Sequence, residues 1–250
     1  MSDTGDLFIV IPAYRESERL PGFLRSVCRT LAASSYRYAI LVVDDGSGPQ
    51  EQAKLGELVN RLRQEAPGLL PPLLLPENHG KGYAIRAGWN HGTGYNWLAF
   101  VDADGATGAS ELMRLCELAQ LAGPPGAVFA SRIKMLGRTV TRSALRHLLG
   151  RVFATLVGQA ICPAIYDSQC GCKIIPGSAW PLISGEMQED GFAFDVELLA
   201  LLLKRGVPVR EEPVNWFDQP GSRVHPVRDS IRMAQAVRRI RKRLGKAPGL

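Results

Sequence analysis

The chain has 250 residues, a net charge of +6 and a hydrophobic content of 46%, an ordinary composition for a folded globular protein. The N-terminus is acidic and polar, whereas a signal peptide begins with a basic and then an apolar region, so we expect no signal peptide. The longest uncharged apolar stretch, residues 152–166, is interrupted by Gly158 and Pro163 and is shorter than the roughly 20 residues that a spanning helix needs.

Apolar runs and helical patterns alternate along the first half of the chain. The runs predict buried strands, because their apolar residues are continuous and not alternating. The predicted strands are 7–14, 38–45, 73–78, 97–104 and 126–131. The predicted helices between them are 16–34, 49–66, 80–92 and 108–122. This order predicts an α/β fold with a mostly parallel central sheet, helices on both faces, and ligands bound where the strands end.

Polar loops follow the predicted strands, and the last of them carries two carboxylates. Asp102 and Asp104 are separated only by Ala103 at a strand end. Alternate residues of an extended segment share a face, so both carboxylates can reach one Mg²⁺ or Mn²⁺. A helix cap or a solvated acidic turn is the alternative for this pair alone. Four such loops at successive strand ends favour a site.

Two other loops indicate a nucleotide. In DDGSG (44–48) an acid can accept a hydrogen bond from a base or a ribose, and Lys81 lies between two glycines at a predicted helix N-terminus, where it can face a phosphate. A solvated lysine is the alternative for Lys81. The first strand is not followed by GxGxxG or by the glycine-rich loop of nucleotidyltransferases, and the chain has no P-loop motif.

The motifs together resemble a known family. VIPAYRESERL, LVVDDGSG, NHGKGYAIRAGW, FVDADGAT, DSQCGCKII and FAFDVELL, spread between residues 8 and 241, are similar to family 2 inverting glycosyltransferases with the GT-A nucleotide-diphospho-sugar transferase fold. The similarity is strongest to the polyprenyl-phosphate group, and within it to the dolichyl-phosphate β-glucosyltransferases. We therefore expect a GT-A domain over 1–226 and a basic C-terminal helix or tail over 227–250.

The resemblance implies a reaction and its alternatives. The implied reaction is metal-dependent, inverting transfer of a hexose to a polyprenyl (dolichyl) phosphate, with UDP-glucose as the favoured donor and GDP-mannose as the second. One alternative is a family 2 enzyme that uses a saccharide or other hydroxyl acceptor. An alternative of another class is a non-catalytic regulatory subunit that binds a nucleotide-sugar.

The resemblance also implies roles on the donor side. Pro12, Tyr14 and Glu16 would line the nucleotide pocket, and Asp45 would contact the base. Asp102 would lie near the ribose and the metal, and Asp104 would bind the metal, Mg²⁺ or Mn²⁺. Mannosyl members often carry a further polar metal ligand where this chain has Ala106.

The acceptor side is basic, since no acid occurs between residues 118 and 166. The resemblance places Arg132 and Arg146 near the acceptor phosphate, with Arg132 also catalytic, and Arg223 on a closing loop. On a single helix Arg138 and Arg142 would extend Arg146 into a cationic stripe. We interpret DSQCGCKII as a loop at the acceptor floor.

Further acids have open roles. Asp190 would be the base if the acceptor were a hydroxyl group. Asp195 and Glu197 are predicted to open a helix, either in the active site or as capping and packing residues.

The C-terminal segment predicts an amphipathic basic helix. Met233, Val237, Ile240 and Leu244 form one apolar stripe, and from Arg228 onward eight basic residues accompany one acid. Such a helix suits an anionic membrane surface; the alternative is that the stripe packs on the domain. We expect a cytoplasmic protein, peripheral at the cytoplasmic membrane face, with a possible membrane-spanning partner. Nucleic acid is not expected, because the tail lacks interleaved aromatic residues.

Overall fold

The computed structural model describes residues 7–121, 126–141, 144–219 and 226–245, and within these ranges it does not describe the side chains of 144–149, 152 and 226–230. The strands are β1 (Leu7–Ala13), β2 (Tyr38–Asp44), β3 (Leu73–Leu74), β4 (Trp97–Val101), β5 (Ala127–Ser131), β6 (Val140–Thr141), β7 (Cys172–Pro176), β8 (Val209–Pro213) and β9 (Trp216–Phe217). The helices are α1 (Leu20–Ala32), α2 (Pro49–Arg63), α3 (Lys81–His91), α4 (Ala109–Leu121), α5 (Ala144–Ala160), α6 (Trp180–Ile183), α7 (Phe194–Lys204) and α8 (Pro226–Leu244).

The central sheet has seven strands in the order β3-β2-β1-β4-β7-β5-β8. The pairs β1–β2, β1–β4, β2–β3 and β5–β8 are parallel, and β7 runs antiparallel between β4 and β5. A small two-stranded sheet pairs β6 with β9. The mostly parallel sheet brings the carboxyl ends of β1, β2 and β4 to one edge, as the sequence predicts.

The strand β1 shows why its apolar run is continuous. Leu7, Ile9 and Ile11 pack into the core beneath α1, α2 and α4, whereas Phe8 and Val10 pack into the opposite core beneath α3, α7 and α8. Both faces of the strand are therefore buried under helices, and every position favours an apolar side chain.

The predicted elements of the first half are confirmed, with changes at their ends. The first helix begins at Leu20 and not at residue 16, with a proline in its first turn, where the missing N–H costs nothing. The third strand is limited to Leu73–Leu74.

The prediction that DSQCGCKII is a loop is wrong for its second half. Cys172–Pro176 forms β7, which is buried in the middle of the sheet. A five-residue run with no periodicity carries little signal of its own, and the strand forms because β4 and β5 leave a gap that it fills.

The single cationic stripe predicted for Arg138, Arg142 and Arg146 is also wrong. Arg138 precedes β6, whereas Arg146 lies in α5, so the residues do not share one helix. The guanidinium of Arg138 lies 3.5 Å from the carboxylate of Glu111. Arg142 lies outside the described residues.

The C-terminal helix forms as predicted, and its apolar stripe is covered. Val237 and Ile240 of α8 are buried and Met233 and Leu244 partly buried, in the core shared with α5 and α7. Arg243 pairs with the buried Glu197 of α7. The structure thus shows the alternative in which the stripe packs on the domain, while the domain division at residue 226 stays a prediction. None of the described helices has the length and apolarity to cross a membrane.

Candidate active site

A cavity of about 810 Å³ opens at the sheet edge where β1, β2 and β4 end. Its walls are the loops after these strands, the N-terminus of α3, the segment 188–193 before α7, and one face of α8. Eight residues that the sequence predicts for the site line this cavity: Pro12, Tyr14, Glu16, Asp45, Lys81, Asp102, Asp104 and Asp190. The fold therefore gathers residues that lie up to 178 positions apart in the chain into one site.

The carboxylate pair follows β4 directly. The N–H of Asp102 donates to the carbonyl of Gly171 at 2.8 Å, and Oδ1 of Asp104 accepts from the N–H of Ala106 at 2.9 Å. Gly171 allows this approach, because a Cβ there would lie 1.8 Å from Oδ2 of Asp102. Backbone contacts thus fix both acids at the cavity before any ligand arrives.

Lys81 lies against this pair at the first position of α3. Its Nζ is 2.6 Å from Oδ1 of Asp102 and 3.9 Å from Oδ2 of Asp195. Burial alone lowers the pKa of Lys81, but the carboxylates of Asp102 and Asp195 outweigh burial and hold its pKa above the ordinary value. The ammonium is therefore charged at neutral pH, and it faces the cavity.

Asp45, at the end of β2, is bound by the loop that precedes α3. Its carboxylate accepts hydrogen bonds from the side chain of Asn78 at 2.8 Å and from the N–H groups of His79 and Gly80 at 2.9 and 2.7 Å. Burial raises the pKa of Asp45, although the two N–H donors offset part of this rise. Asp45 thus positions the N-terminus of α3 while it lines the cavity.

The donor set fits a divalent cation that is shared with a ligand. Among the described residues, no cluster of three His, Cys, Asp or Glu side chains has the arrangement of a metal site. Asp102 and Asp104 supply two carboxylates at an open cavity. Mg²⁺ is commonly bound in this way, by one or two carboxylates together with substrate phosphates and water.

Arg132 is not among the cavity-lining residues. Its Nε and one terminal nitrogen donate to the two oxygens of Asp167, each at 2.7 Å, and its guanidinium lies 5.5 Å from the ring of Trp216. Burial alone would raise the pKa of Asp167, but the charge of Arg132 and its hydrogen bonds hold it well below the ordinary value. Burial would likewise lower the pKa of Arg132, and Asp167 raises it overall.

The other two arginines predicted for the acceptor phosphate have side chains outside the described part of the structure. Arg146 lies in α5, but its side chain is outside the described part of the structure. Arg223 lies outside the described residues altogether. Their roles stay predictions.

The segment before α7 is held by ion pairs from α3 and α8 and by hydrogen bonds to α7. Asp190 lines the cavity and pairs with Arg86 of α3, and Glu189 accepts from Arg239 of α8 at 2.9 Å. Glu197 is fully buried and accepts from the N–H groups of residues 188 and 189 at 2.8–3.0 Å. Packing and capping, the simpler of its two predicted roles, therefore account for Glu197.

Some residues of the site are absent from the sequence prediction. Arg19 lines the cavity. Burial lowers the pKa of Arg19, but its hydrogen bond with Glu16 and the charges of Glu16, Asp104 and Asp102 raise it overall. Arg232 and Arg239 of α8 also line the cavity. The sequence shows that α8 is basic and amphipathic, but only its packing on α5 and α7 brings these arginines to the site.

The sequence matches a known family and its members. The profile of Glycosyl transferase family 2 matches residues 8–178. A dolichyl-phosphate beta-glucosyltransferase of Dictyostelium discoideum is 32% identical over 244 residues, which cover 94% of this chain and 73% of that protein. The dolichyl-phosphate beta-glucosyltransferase of Homo sapiens is 30% identical, with 97% of this chain and 76% of that protein covered.

Solved structures share the fold at low sequence identity. Glucosyl-3-phosphoglycerate synthase from Mycobacterium tuberculosis, in complex with Mn²⁺, UDP and glucosyl-3-phosphoglycerate, has a TM-score of 0.66 at 13% identity and covers 98% of this chain and 81% of its own. The mannosyltransferase PcManGT from Pyrobaculum calidifontis, in complex with GDP-Man and Mn²⁺, has a TM-score of 0.66 at 16% identity. The match covers 99% of this chain and 67% of that chain. The predicted fold is thereby confirmed, and the chain belongs to glycosyl transferase family 2 as a glycosyltransferase of the GT-A fold.

Proposed function

We propose that this glycosyltransferase moves glucose from UDP-glucose to dolichyl phosphate or a related polyprenyl phosphate, with inversion at the sugar and with a divalent metal. The observation that carries the proposal is the identity of 30–32% with dolichyl-phosphate beta-glucosyltransferases over more than nine tenths of the chain. GDP-mannose is the second donor to test.

The donor would lie in the cavity along the sheet edge. Pro12, Tyr14 and Glu16 would enclose the nucleotide, and Asp45, which lines the same cavity, would contact the base. The diphosphate would then lie at the N-terminus of α3, where backbone N–H groups, the helix dipole and Lys81 favour negative charge.

Asp102 and Asp104 would hold Mg²⁺ or Mn²⁺ on the diphosphate. The metal would neutralise charge on the leaving nucleoside diphosphate. These two acids are our proposed catalytic residues together with Arg132, which follows the end of β5 and forms a bidentate pair with Asp167. We propose that the positive charge of Arg132 attracts the acceptor phosphate.

The reaction needs no strong base when the acceptor is a phosphate monoester. An oxygen of the acceptor phosphate attacks C1 of the sugar, the bond from C1 to the diphosphate oxygen breaks, and the nucleoside diphosphate leaves with the electron pair. The monoester is largely dianionic at neutral pH, since its second pKa is about 6. Positioning and charge screening by Arg146 and Arg223 would therefore dominate on this side.

We also propose that the enzyme works on the cytoplasmic face of a membrane, with α8 near anionic lipids. The apolar stripe of α8 is packed in the core, so this contact would depend on the exposed cations of the helix, such as Arg238 and Lys242. A membrane-spanning partner protein stays a prediction.

The test is transfer of radiolabelled sugar into a short polyprenyl phosphate, from UDP-glucose and from GDP-mannose, with and without Mn²⁺. We expect Mn²⁺-dependent label in the lipid phase from UDP-glucose. Label from GDP-mannose alone would overturn the donor, and transfer that is equal in EDTA would overturn the metal requirement.

Asp104→Asn is the variant that tests the metal site. We expect turnover to fall by about a hundredfold or more, because the variant removes a charge that stabilises the metal on the leaving group. Initial rates with saturating Mn²⁺ give the measurement, and the unfolding temperature provides the control for folding. Activity within a factor of two of the unmodified enzyme would contradict the assignment.

A hydroxyl acceptor is the second candidate, because Asp190, the proposed base for it, lines the cavity. Donor hydrolysis without lipid product would favour it. In that case Asp190→Asn should abolish transfer to a hydroxyl acceptor, whereas under the phosphate mechanism it should leave most of the lipid transfer intact.

A further inference from the structure

Four charged side chains form an alternating row from the core to the cavity. Lys173 is fully buried, and its Nζ lies 2.6 Å from Oδ1 of Asp195. The other oxygen of Asp195 is 3.9 Å from Nζ of Lys81, which in turn is 2.6 Å from Asp102. The row therefore reads Lys173, Asp195, Lys81, Asp102, with the signs alternating.

Both lysines of the row lie against aromatic rings, and Lys173 and Asp195 are buried. The ring of Phe100 lies 5.0 Å from Nζ of Lys81 and 5.4 Å from Nζ of Lys173, and the ring of Phe129 is 4.9 Å from Lys173. A buried charge in such a setting is stable only when it is paired. Lys173 also donates to the carbonyl of Cys170 at 2.7 Å, so its position is fixed from two sides.

Lys81 contacts Asp102, one of the two proposed metal ligands. A divalent cation bound to Oδ1 of Asp102 would lie about 2.1 Å from it. The ammonium of Lys81 lies 2.6 Å from the same oxygen, so the two cations would be less than about 5 Å apart and would repel each other. Asp195 offers the ammonium a second carboxylate close by.

We propose that Lys81 competes with the divalent metal for Asp102, and that Asp195 and Lys173 are positioning residues that set how tightly Lys81 holds it. The inference rests on the metal site of the proposed function. When metal binds, Lys81 leaves Asp102 and turns to the diphosphate beside the metal. The same lysine thus weakens the site for metal alone and strengthens it for metal with nucleotide.

The test is a titration of the full-length protein with Mn²⁺, in which free Mn²⁺ is measured by electron paramagnetic resonance. We expect Lys81→Met to bind Mn²⁺ alone about tenfold more tightly, because the competing charged hydrogen bond is gone. In saturating Mn²⁺ the same variant should bind UDP about tenfold more weakly. A lysine with only a structural role would not shift the two affinities in opposite directions.

A second variant tests the roles of Asp195 and Lys173 together, so that neither buried charge is left without its partner. The double change Asp195→Asn with Lys173→Met removes one charge of each sign, after which Lys81 has Asp102 as its one carboxylate of this row. We expect Mn²⁺ to bind several-fold more weakly, and the further change Lys81→Met to restore tight binding.

The control is Lys54→Met, at an exposed lysine that pairs with Glu51 on α2. Its Mn²⁺ and UDP affinities should equal those of the unmodified protein. If Lys81→Met leaves Mn²⁺ affinity unchanged or lowers it, the competition is refuted. If neither the unmodified protein nor Lys81→Met binds Mn²⁺, both the proposed metal site and this inference are refuted. Failure of lipid transfer alone leaves both titrations in place, so an error in the acceptor is recognised separately.

Discussion

At the scale of single residues, two buried acids, of which Asp45 lines the cavity, have both carboxylate oxygens bound within the protein. Asp45 accepts three hydrogen bonds from the loop before α3, and Asp167 receives both arms of Arg132. Such contacts restrict each carboxylate to one orientation before a ligand binds. The sequence indicated Asp45 but not Asp167, and the partners of both acids come from distant parts of the chain.

The pair of Arg132 and Asp167 gives a stability prediction. Asp167→Asn should lower the free energy of unfolding at pH 7 by about 3 kcal/mol, because it leaves a largely buried guanidinium without its charge partner. Urea unfolding followed by circular dichroism provides the measurement. The exposed Glu65→Gln serves as the control and should change the free energy by less than about 0.5 kcal/mol.

The difference in the free energy of unfolding between the unmodified protein and Asp167→Asn depends on pH with a definite sign. The pKa of Asp167 is lower in the folded protein than in the unfolded chain, where it is about 3.9. Its contribution is thus present above about pH 4 and is lost as the pH falls below that value. The gap between the unmodified protein and Asp167→Asn should narrow between about pH 5 and pH 2. A gap that stays constant over this range would show that the pair does not stabilise the fold through its charge.

At the scale of elements, α8 forms one wall of the cavity. Its apolar face joins the core of α5 and α7, and its polar face brings Arg232 and Arg239 to the cavity. The sequence predicts the helix and its stripe correctly. An amphipathic pattern does not say whether protein or lipid covers the apolar face, since both environments favour the same side chains.

A pair of isoleucines on α8 tests this packing. Ile240 is 1% exposed and Ile231 is 56% exposed. Ile240→Ala should lower the free energy of unfolding by about 2–4 kcal/mol, whereas Ile231→Ala should change it by less than about 0.5 kcal/mol. Equal effects from the two variants, measured by denaturant unfolding, would contradict the docking of α8 on the domain.

At the scale of the whole molecule, charge is distributed unevenly. The net charge is +6, and the segment from Arg228 onward carries eight basic residues against one acid, so the rest of the chain is near neutral. Several cations of this segment bind the protein itself: Arg239 pairs with Glu189, and Arg241 donates to carbonyls at the end of α5. The remaining exposed cations are the ones available to an anionic surface.

A charge-removing double variant, Arg238→Gln with Lys242→Gln, tests the proposed membrane contact. It should weaken co-sedimentation with vesicles that contain anionic lipid by about thirtyfold, since each of the two cations near such a surface contributes about 1 kcal/mol. Both side chains are exposed, so the unfolding temperature should not change. Sedimentation that equals that of the unmodified protein would remove α8 from the membrane contact, and neutral vesicles provide the control for non-electrostatic binding.

The sequence by itself determined the parallel α/β core, because strands that are buried on both faces need continuous apolar runs and their spacing by helices needs parallel pairing. It also indicated most of the cavity, because residues at the ends of neighbouring parallel strands must meet at one edge. Pro12, Asp45 and Asp102 are of this kind, each set by a strand of the first half of the chain.

Only the tertiary structure decided what depends on contacts between distant segments. The strand β7 pairs with β4 on one side and β5 on the other. Position 171 favours glycine because a Cβ there would clash with the carboxylate of Asp102. The packing of α8 on the domain depends on its contacts with α5 and α7. The row from Lys173 to Asp102 depends on how α3 and α7 pack on the sheet. Local patterns fix which residues are buried or polar, whereas the pairing of those residues is fixed by packing.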